Sequence, residues 1–167
     1  VVLTNQMVGA AFNTITNTVK DSYLGYDDRN WLKNYGDRNT NYITYNDSIK
    51  KAVYAKVALA AKDKNSPKPF QITGTYRDDW FGTITISHNE KSYTITCERS
   101  PNLQGELLPF NATTFVAKWN NRSYDADVFV HFTFDETGNA TGATMSYIAP
   151  ITDFSFDFHD LNLKKTN

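Results

Sequence analysis

The sequence predicts a mainly β protein: an eight-stranded antiparallel up-and-down β-barrel preceded by two N-terminal helices. Apolar residues recur at helical spacing before about residue 66 and at a period of two after about residue 70. Turn-forming residues separate eight short alternating runs, and aromatic residues make up 14% of the chain. Strands joined by short connections pair antiparallel, and closing eight of them into a barrel removes exposed edges, with a sandwich as the alternative.

The first helix is predicted to follow a short extended segment, Val1-Val2-Leu3, and to end at Gly25. Thr4 or Asn5 offers an N-cap, and Gly25 favours a C-terminal stop. Apolar residues at three- and four-residue steps share one face, as is typical of an amphipathic helix: Val8, Ala11, Phe12, Ile15, Val19 and Tyr23.

Residues 26–69 are predicted to be a linker that carries the second helix. The stretch 27–45 is polar with scattered aromatics and no steady period, which favours a loop or a broken helix. From about 47 to 64 the apolar residues share one face, which predicts a helix. Ser66-Pro67-Lys68-Pro69 marks a boundary, because two prolines within three residues favour extended backbone.

Residues 70–167 are predicted to form the barrel. The expected strands are 71–77, 80–88, 92–99, 104–109, 113–119, 127–135, 140–149 and 153–160. Large rings on these strands form either a solid core or a cup for one small ligand, and their density favours the core. They are Tyr76, Trp80, Phe81, Phe115, Trp119, Phe132 and Phe156.

Composition excludes several classes of function. The net charge is −1 without a Lys/Arg cluster, which argues against nucleic acid as a partner. No run approaches the roughly 20 apolar residues of a membrane span. Cys97 is the single cysteine and is interpreted as a small hydrophobic residue in a strand. We expect no cofactor.

Several motifs occur in a specific order along the predicted barrel. They are Gly74-Thr75-Tyr76, Trp80-Phe81-Gly82, Leu103-Gln104-Gly105-Glu106-Leu107, Thr114-Phe115, Trp119, Phe132 and Asp135-Glu136-Thr137-Gly138. In this order the chain resembles the lipocalin-like C-terminal domain behind the catalytic domain of many class C β-lactamase-like, penicillin-binding-protein-type serine hydrolases. The resemblance covers about residues 70–165 and implies a periplasmic or exported location.

The front of the chain resembles the end of that catalytic domain. Val1 to Gln6 with the Ala11–Leu24 helix is similar to its last strand and closing helix, and Asp28 to Leu32 is similar to the segment that follows. The resemblance implies that residues 1–25 are the terminal strand and helix of a truncated catalytic domain. The chain has no initiating Met, which agrees with a processed or excised piece.

A formal Ser-x-x-Lys match begins at Ser48, but we do not interpret it as catalytic. The resembling family adds a Tyr-x-Asn motif and a later Lys/His-x-Gly strand. Both are absent here, and the match follows the segment that resembles the end of the catalytic domain. We therefore expect a non-catalytic accessory domain rather than an enzyme. The alternative is a lipocalin-like barrel that binds a small apolar ligand.

Other chemistry-bearing residues are interpreted as structural. His88, His131 and His159 lack the spacing of a metal pair, so no metal site is expected, and His131 is expected to be hydrogen bonded. The carboxylates of the last predicted strand are interpreted as surface charges; they are Asp153, Asp157 and Asp160. Glu98 and Glu106 are interpreted in the same way.

One helical stripe is predicted to be an interface. It consists of Val8, Phe12, Ile15 and Val19. Such a stripe needs an apolar partner, which is either the catalytic domain of the full-length protein or a second copy of the chain. We expect a homo-oligomer that forms through the N-terminal segment.

Overall fold

The computed structural model describes residues 1–4, 9–27, 29–61, 69–89 and 92–166. The chain divides into two compact units, Val1–Ser48 and Ile49–Asn167. The first helix, α1, is Gly9–Leu24, and the second, α2, is Trp31–Ala60, which contributes residues to both units. A short helix, α3, is Pro69–Ile72.

Helix α1 agrees with the predicted element and its stop. It ends at Leu24, and Gly25 follows with φ of 70°, a left-handed conformation that glycine adopts without steric cost. Residues 1–4 are not in a strand here, and a strand forms only beside a hydrogen-bonded neighbour. The terminal strand that the resemblance implies stays a prediction. Val8 lies outside the described residues.

Helix α2 begins much earlier than the sequence pattern indicates. The prediction of a loop or broken helix over 27–45 is wrong from Trp31 onward. The Asn30 side chain caps the start by accepting the Lys33 amide at 3.2 Å. Trp31 stacks on Tyr35, and Lys33 pairs with Asp37, each four residues apart. Caps and i,i+4 pairs therefore form this first half without an apolar stripe.

Eight antiparallel strands form a closed barrel in sequence order, which confirms the predicted fold. They are β1 Gly74–Asp78, β2 Gly82–His88, β3 Tyr93–Cys97, β4 Gln104–Pro109, β5 Thr114–Trp119, β6 Val128–Phe134, β7 Ala140–Tyr147 and β8 Leu163–Lys165. Each strand pairs with the next, and β8 returns to β1 through Tyr76↔Lys165 and Arg77↔Lys164. Thr166 continues this seam by donating its amide to Thr75 O at 2.8 Å.

The alternation of the strands places one apolar set inside the barrel. In β6, Val128, Val130 and Phe132 are buried, while His131 and Thr133 point outward. Outside the barrel, Val53 and Val57 of α2 pack with Val116, Ile148 and Ala149 in a second cluster. The second half of α2 therefore covers part of the outer barrel wall.

The predicted eighth strand, 153–160, is wrong. Those residues form two 3₁₀ turns, Phe154–Phe156 and Phe158–Asp160, and β8 begins at Leu163. Asp153 caps the first turn by accepting the Ser155 amide, and Asp157 between the turns has φ of 52°. Such local bonds compete with a strand ladder, so the alternating Phe pattern does not produce an extended segment.

Helix α3 contributes Ile72 to the barrel core. Ile72 is fully buried, and its carbonyl accepts the Tyr76 hydroxyl at 2.7 Å. Gln71 donates to Gly138 O at 2.7 Å, and Lys165 donates to Gln71 O at 3.3 Å. These bonds tie α3 to β8 and to the β6–β7 turn.

Candidate functional site

Continuous ring contacts fill the barrel interior. The ring centroids of Phe115 lie 5.5 Å from Phe132 and 5.6 Å from Tyr93, both edge to face. The ring centroids of Tyr76 and Phe132 are 5.8 Å apart. Burial raises the pKa of the Tyr76 phenol, whose hydroxyl is satisfied by the Ile72 carbonyl. These rings form a packed core.

A parallel stack of rings belongs to the same core. Phe158 lies 5.9 Å from Trp119 at 13° between planes and 5.3 Å from Phe156 at 1°. Phe81 packs on Phe158 at 6.5 Å. The Trp119 indole N–H donates to Ala126 O at 2.7 Å, so its polar edge is satisfied. Phe158 was not in the predicted ring set, although Phe156 of the same predicted strand was.

Six of the seven predicted rings belong to the interior, and Trp80 does not. Tyr76, Phe115, Trp119 and Phe132 are buried, and Phe81 and Phe156 pack against them. Trp80 is 71% exposed. It lies in the β1–β2 turn, where the Asp78 carboxylate accepts the Trp80 and Phe81 amides at 2.8 and 2.9 Å. The turn geometry, rather than strand alternation, fixes the direction of this side chain.

The carboxylate of Asp127 is the most heavily bonded buried charge described. Arg122 donates both guanidinium nitrogens to it at 2.6 Å, and the Trp119 amide donates to Oδ1 at 3.1 Å. Tyr54 of α2 also donates its hydroxyl to Asp127. Burial and this bond raise the pKa of Tyr54, and the bond to Asp127 raises that of Arg122. The network is satisfied within itself and joins α2 to the β5–β6 connection.

A second polar contact lies beside this network. Lys50 forms an ion pair with Asp125 at 2.6 Å, and Asp125 is a non-glycine residue with φ of 47°. The Asp125 carbonyl also accepts the Thr152 hydroxyl at 3.4 Å. Lys50, one of the two residues between Ser48 and Lys51 in the formal Ser-x-x-Lys match, thus serves a structural contact.

A surface cleft of about 530 Å³ borders the β1–β2 turn. It is lined by Arg77, Asp78, Asp79, Trp80, Asp157, Asp160, Asn162 and Lys164. The predicted carboxylates Asp157 and Asp160 meet here, whereas Asp153 caps a turn. Burial opposes ionisation of Asp78, but the amides of Phe81, Asn162 and Trp80 outweigh it and hold its pKa below the usual range. Asp78 therefore serves as a turn anchor.

A second cleft, of about 420 Å³, lies on the other side of the 3₁₀ turns. It is lined by Phe81, Arg99, Ser100, Pro101, Asn102, Leu103, Tyr124, Ser155 and Phe156. Arg99 donates to Trp80 O at 2.6 Å, which ties the end of β3 to the β1–β2 turn. Glu98 and Glu106 are exposed on the outer surface. Both clefts border the segment that was expected to be the last strand.

The three histidines lie in separate places. Both ring nitrogens of His131 are hydrogen bonded, to Thr114 Oγ1 at 3.2 Å and to Ser146 Oγ at 2.9 Å, as the sequence interpretation expects. Burial lowers the pKa of His131. His88 packs on Tyr93, and His159 packs on Tyr147. Within the described ranges, no group of three or more His, Cys, Asp or Glu side chains is arranged to hold a metal ion.

Two further potential nucleophiles, Ser48 and Cys97, are locally hydrogen bonded or buried. Ser48 donates its hydroxyl to Tyr45 O at 2.7 Å, within its own helix. Cys97 is buried in the barrel core, and burial raises the pKa of its thiol to about 12. A thiol in that environment is an inert packing group, as predicted.

Helix α1 turns polar side chains toward α2. The Trp31 indole donates to Asp21 at 2.7 Å, Asn17 donates to the Tyr35 hydroxyl at 2.8 Å, and Thr14 donates to Trp31 O at 3.4 Å. The opposite face is apolar and open. Phe12, Ile15 and Val19 there are 40%, 46% and 48% exposed.

This fold and interior define a small, aromatic-filled antiparallel β-barrel domain. A family model described as "Domain of unknown function (DUF3471)" matches residues 60–165, more than half of the chain, and the chain belongs to this family. Comparisons with curated proteins and with solved structures found no match. None of the helices searched in the described ranges is long and apolar enough to cross a membrane.

Proposed function

We propose that this chain is the non-catalytic accessory domain of a β-lactamase-like, penicillin-binding-protein-type serine hydrolase. In this role it packs on the catalytic domain of the full-length protein, and it regulates access to the active site or mediates oligomerisation. The motif resemblance supports this role, as does the exposed apolar face of α1. An exported or periplasmic location follows from the same resemblance.

The face of α1 is the observation that carries the proposal. Fully burying a Phe, Ile or Val side chain contributes about 1.5–3 kcal/mol each, and the partial exposure of Phe12, Ile15 and Val19 forfeits much of this. Amphipathic helices normally direct such a stripe toward their own core. Here the polar side meets α2, so the apolar side is available to another body.

Charge also favours docking through this face. Within α1 only Lys20 and Asp21 are charged, and Asp21 is committed to Trp31 and Arg29. An apolar, nearly uncharged surface can approach another protein body with little desolvation of ions. The same surface on a second copy meets no strong like-charge repulsion, which supports the oligomer that the sequence analysis predicts.

The ligand-binding alternative receives less support from the geometry. Rings of the chain itself occupy the barrel core, from Tyr76 to Phe156. A binding role would require a preformed apolar cavity, whereas the two clefts described above are surface features with several charged side chains. The accessory role needs no internal ligand.

Turnover assays test the non-catalytic part of the proposal. The purified 167-residue chain should not hydrolyse nitrocefin or a D-Ala-D-Ala peptide, and Ser48→Ala should leave both measurements unchanged. Serine-dependent turnover by the chain would reject the proposal.

Sedimentation velocity tests the docking face. We expect the wild-type chain to associate with itself and Ile15→Asp to shift it toward the monomer. Leu59→Asp is the matched control, because Leu59 is also exposed but lies on α2 in the other unit. Equal effects of the two substitutions would remove α1 as the interface.

A further inference from the structure

The segment Asp153–Leu161, here called the plug, joins β7 to β8 without strand pairing. Hydrogen bonds to distant residues anchor its two flanks. Thr152 donates to Asp125 O at 3.4 Å, and the Asn162 amide donates to Asp78 at 2.9 Å. The plug therefore has a defined attachment at each end.

Between these attachments, the backbone hydrogen bonds of the plug are local. Phe156 donates to Asp153 O, Asp157 to Phe154 O, and Asp160 to Asp157 O. Local bonds move with the segment and are not broken when it leaves the barrel. The hydrogen bonds of the plug thus permit it to move as one piece.

Ring packing holds the plug in place. Phe158 is 1% exposed between Trp119 and Phe156, and His159 contacts Tyr147. Phe154 at the outer end of the same segment is 75% exposed and contributes nothing to this hold. Leu161, 3% exposed, is also buried in the core, so Phe158 and Leu161 together anchor the plug.

Open space flanks the plug on two sides. The cleft of about 530 Å³ includes Asp157 and Asp160, and the cleft of about 420 Å³ includes Ser155 and Phe156. Asp157, with φ of 52°, lies in a sparsely populated conformation that a rearrangement would relieve.

We infer that the plug is hinged at its two attachments and that its displacement opens an internal slot for a flat, uncharged aromatic ring. The face of Trp119 lines the slot, and Phe158 fills it in the closed state as a ligand ring would. The Trp119 N–H is already bonded to Ala126, so the slot offers stacking surface rather than a free donor. This inference is independent of the accessory role proposed above.

Thiol labelling in the full chain tests the hinge. Leu161→Cys places a thiol at the buried end of the plug, and Cys97 in the barrel core is the internal reference. We expect Cys-specific reagent to modify position 161 at least about tenfold faster than Cys97, because plug opening requires less free energy than barrel unfolding. Equal rates at the two positions would overturn the hinge.

Indole is the probe for the slot. In the Leu161→Cys chain, which keeps Phe158, indole should increase the labelling rate at position 161 by stabilising the open plug. An unchanged labelling rate at the solubility limit of indole would overturn the slot. In Phe158→Ala, indole should raise the Tm by about 3 °C or more. Phe154→Ala is the matched control and should show no such rise; equal rises in both variants would also overturn the slot.

Discussion

The hydroxyl of Tyr54 in α2 donates a hydrogen bond to the carboxylate of Asp127, 73 residues further along the chain. The same carboxylate accepts both guanidinium nitrogens of Arg122. A helix is thereby fixed to the connection between two strands by a buried charge rather than by apolar packing alone. Burial of Asp127 makes each of these bonds costly to lose.

Replacing Asp127 with Asn should reduce the free energy of unfolding by about 2–3 kcal/mol, because Arg122 and Tyr54 lose a charged acceptor. Urea unfolding measures the change. Asp125→Asn is the matched control: Asn tolerates the left-handed backbone, and the half-exposed pair with Lys50 contributes about 1 kcal/mol or less. Similar losses in the two variants would contradict the assignment of Asp127 as the main anchor.

Truncation of the two tryptophans of the barrel should change its stability to very different extents. Trp119→Ala removes a buried ring from the stack and should cost about 3–5 kcal/mol. Trp80→Ala should change the free energy of unfolding by about 0.5 kcal/mol or less, because the turn uses its backbone groups and the ring is exposed. Chemical denaturation measures both, and a large loss in Trp80→Ala would contradict the placement of that ring.

Gly105→Ala should destabilise the barrel strongly. A Cβ at this position would lie 2.1 Å from Lys118 O and 2.8 Å from Trp119 Cα, both backbone atoms of β5. The strands must separate to accept it, so we expect a loss of about 2 kcal/mol or more in thermal or urea unfolding.

Gly36→Ala is its control. Nothing lies within 4 Å of the added Cβ, and Gly36 is inside α2, so helicity should increase and stability should rise by about 0.5–1 kcal/mol. If Gly105→Ala were as stable as Gly36→Ala, the close approach of β4 and β5 at this position would be contradicted.

The stability of the chain should depend on the protonation of His131. Burial lowers its pKa in the folded state from the ordinary 6.5, so the unfolded chain binds this proton more readily. The contribution of His131 to the free energy of unfolding is constant above pH 6.5. It declines as the pH falls below 6.5 and levels off below the pKa of the folded state.

Urea unfolding between pH 7.5 and pH 5 measures this dependence. His131→Gln should flatten the part of the profile below pH 6.5 that this residue causes. His88→Gln, a change at an exposed strand residue, should keep the wild-type profile. A profile that His131→Gln leaves unaltered would show that other groups set the acid sensitivity.

Much of the barrel follows from local pattern. The alternation of residues such as Ile84 and Ile86, and the turns between strands, predict β1 to β7 within a few residues. Antiparallel pairing of successive strands follows from short connections, because strands joined by a tight turn must be neighbours. Closure through β1 and β8 does not follow from them, and a sandwich was the alternative. The interior position of Phe115 and Phe132 follows from the same alternation.

The plug and the start of α2 did not follow from periodicity. Phe154, Phe156 and Phe158 alternate as in a strand, yet the Asp153 cap and the left-handed Asp157 direct the chain into 3₁₀ turns. Trp31–Tyr35 stacking replaces an apolar stripe in α2. In both places side-chain bonds over two to four residues decide the backbone, and a periodic pattern does not report them. The interface residues and the accessory role stay predictions.

The brevity of the β1–β8 seam has a consequence for how the chain folds. Its partners are about 90 residues apart, as between Thr166 and Thr75, so loop-closure entropy delays this pairing relative to the hairpins. Until the seam forms, the edges of β1 and β8 are open templates for another chain. Lys164 and Lys165, both on β8 and next to Arg77, make the late-closing edge cationic, which discourages intermolecular strand addition during that interval.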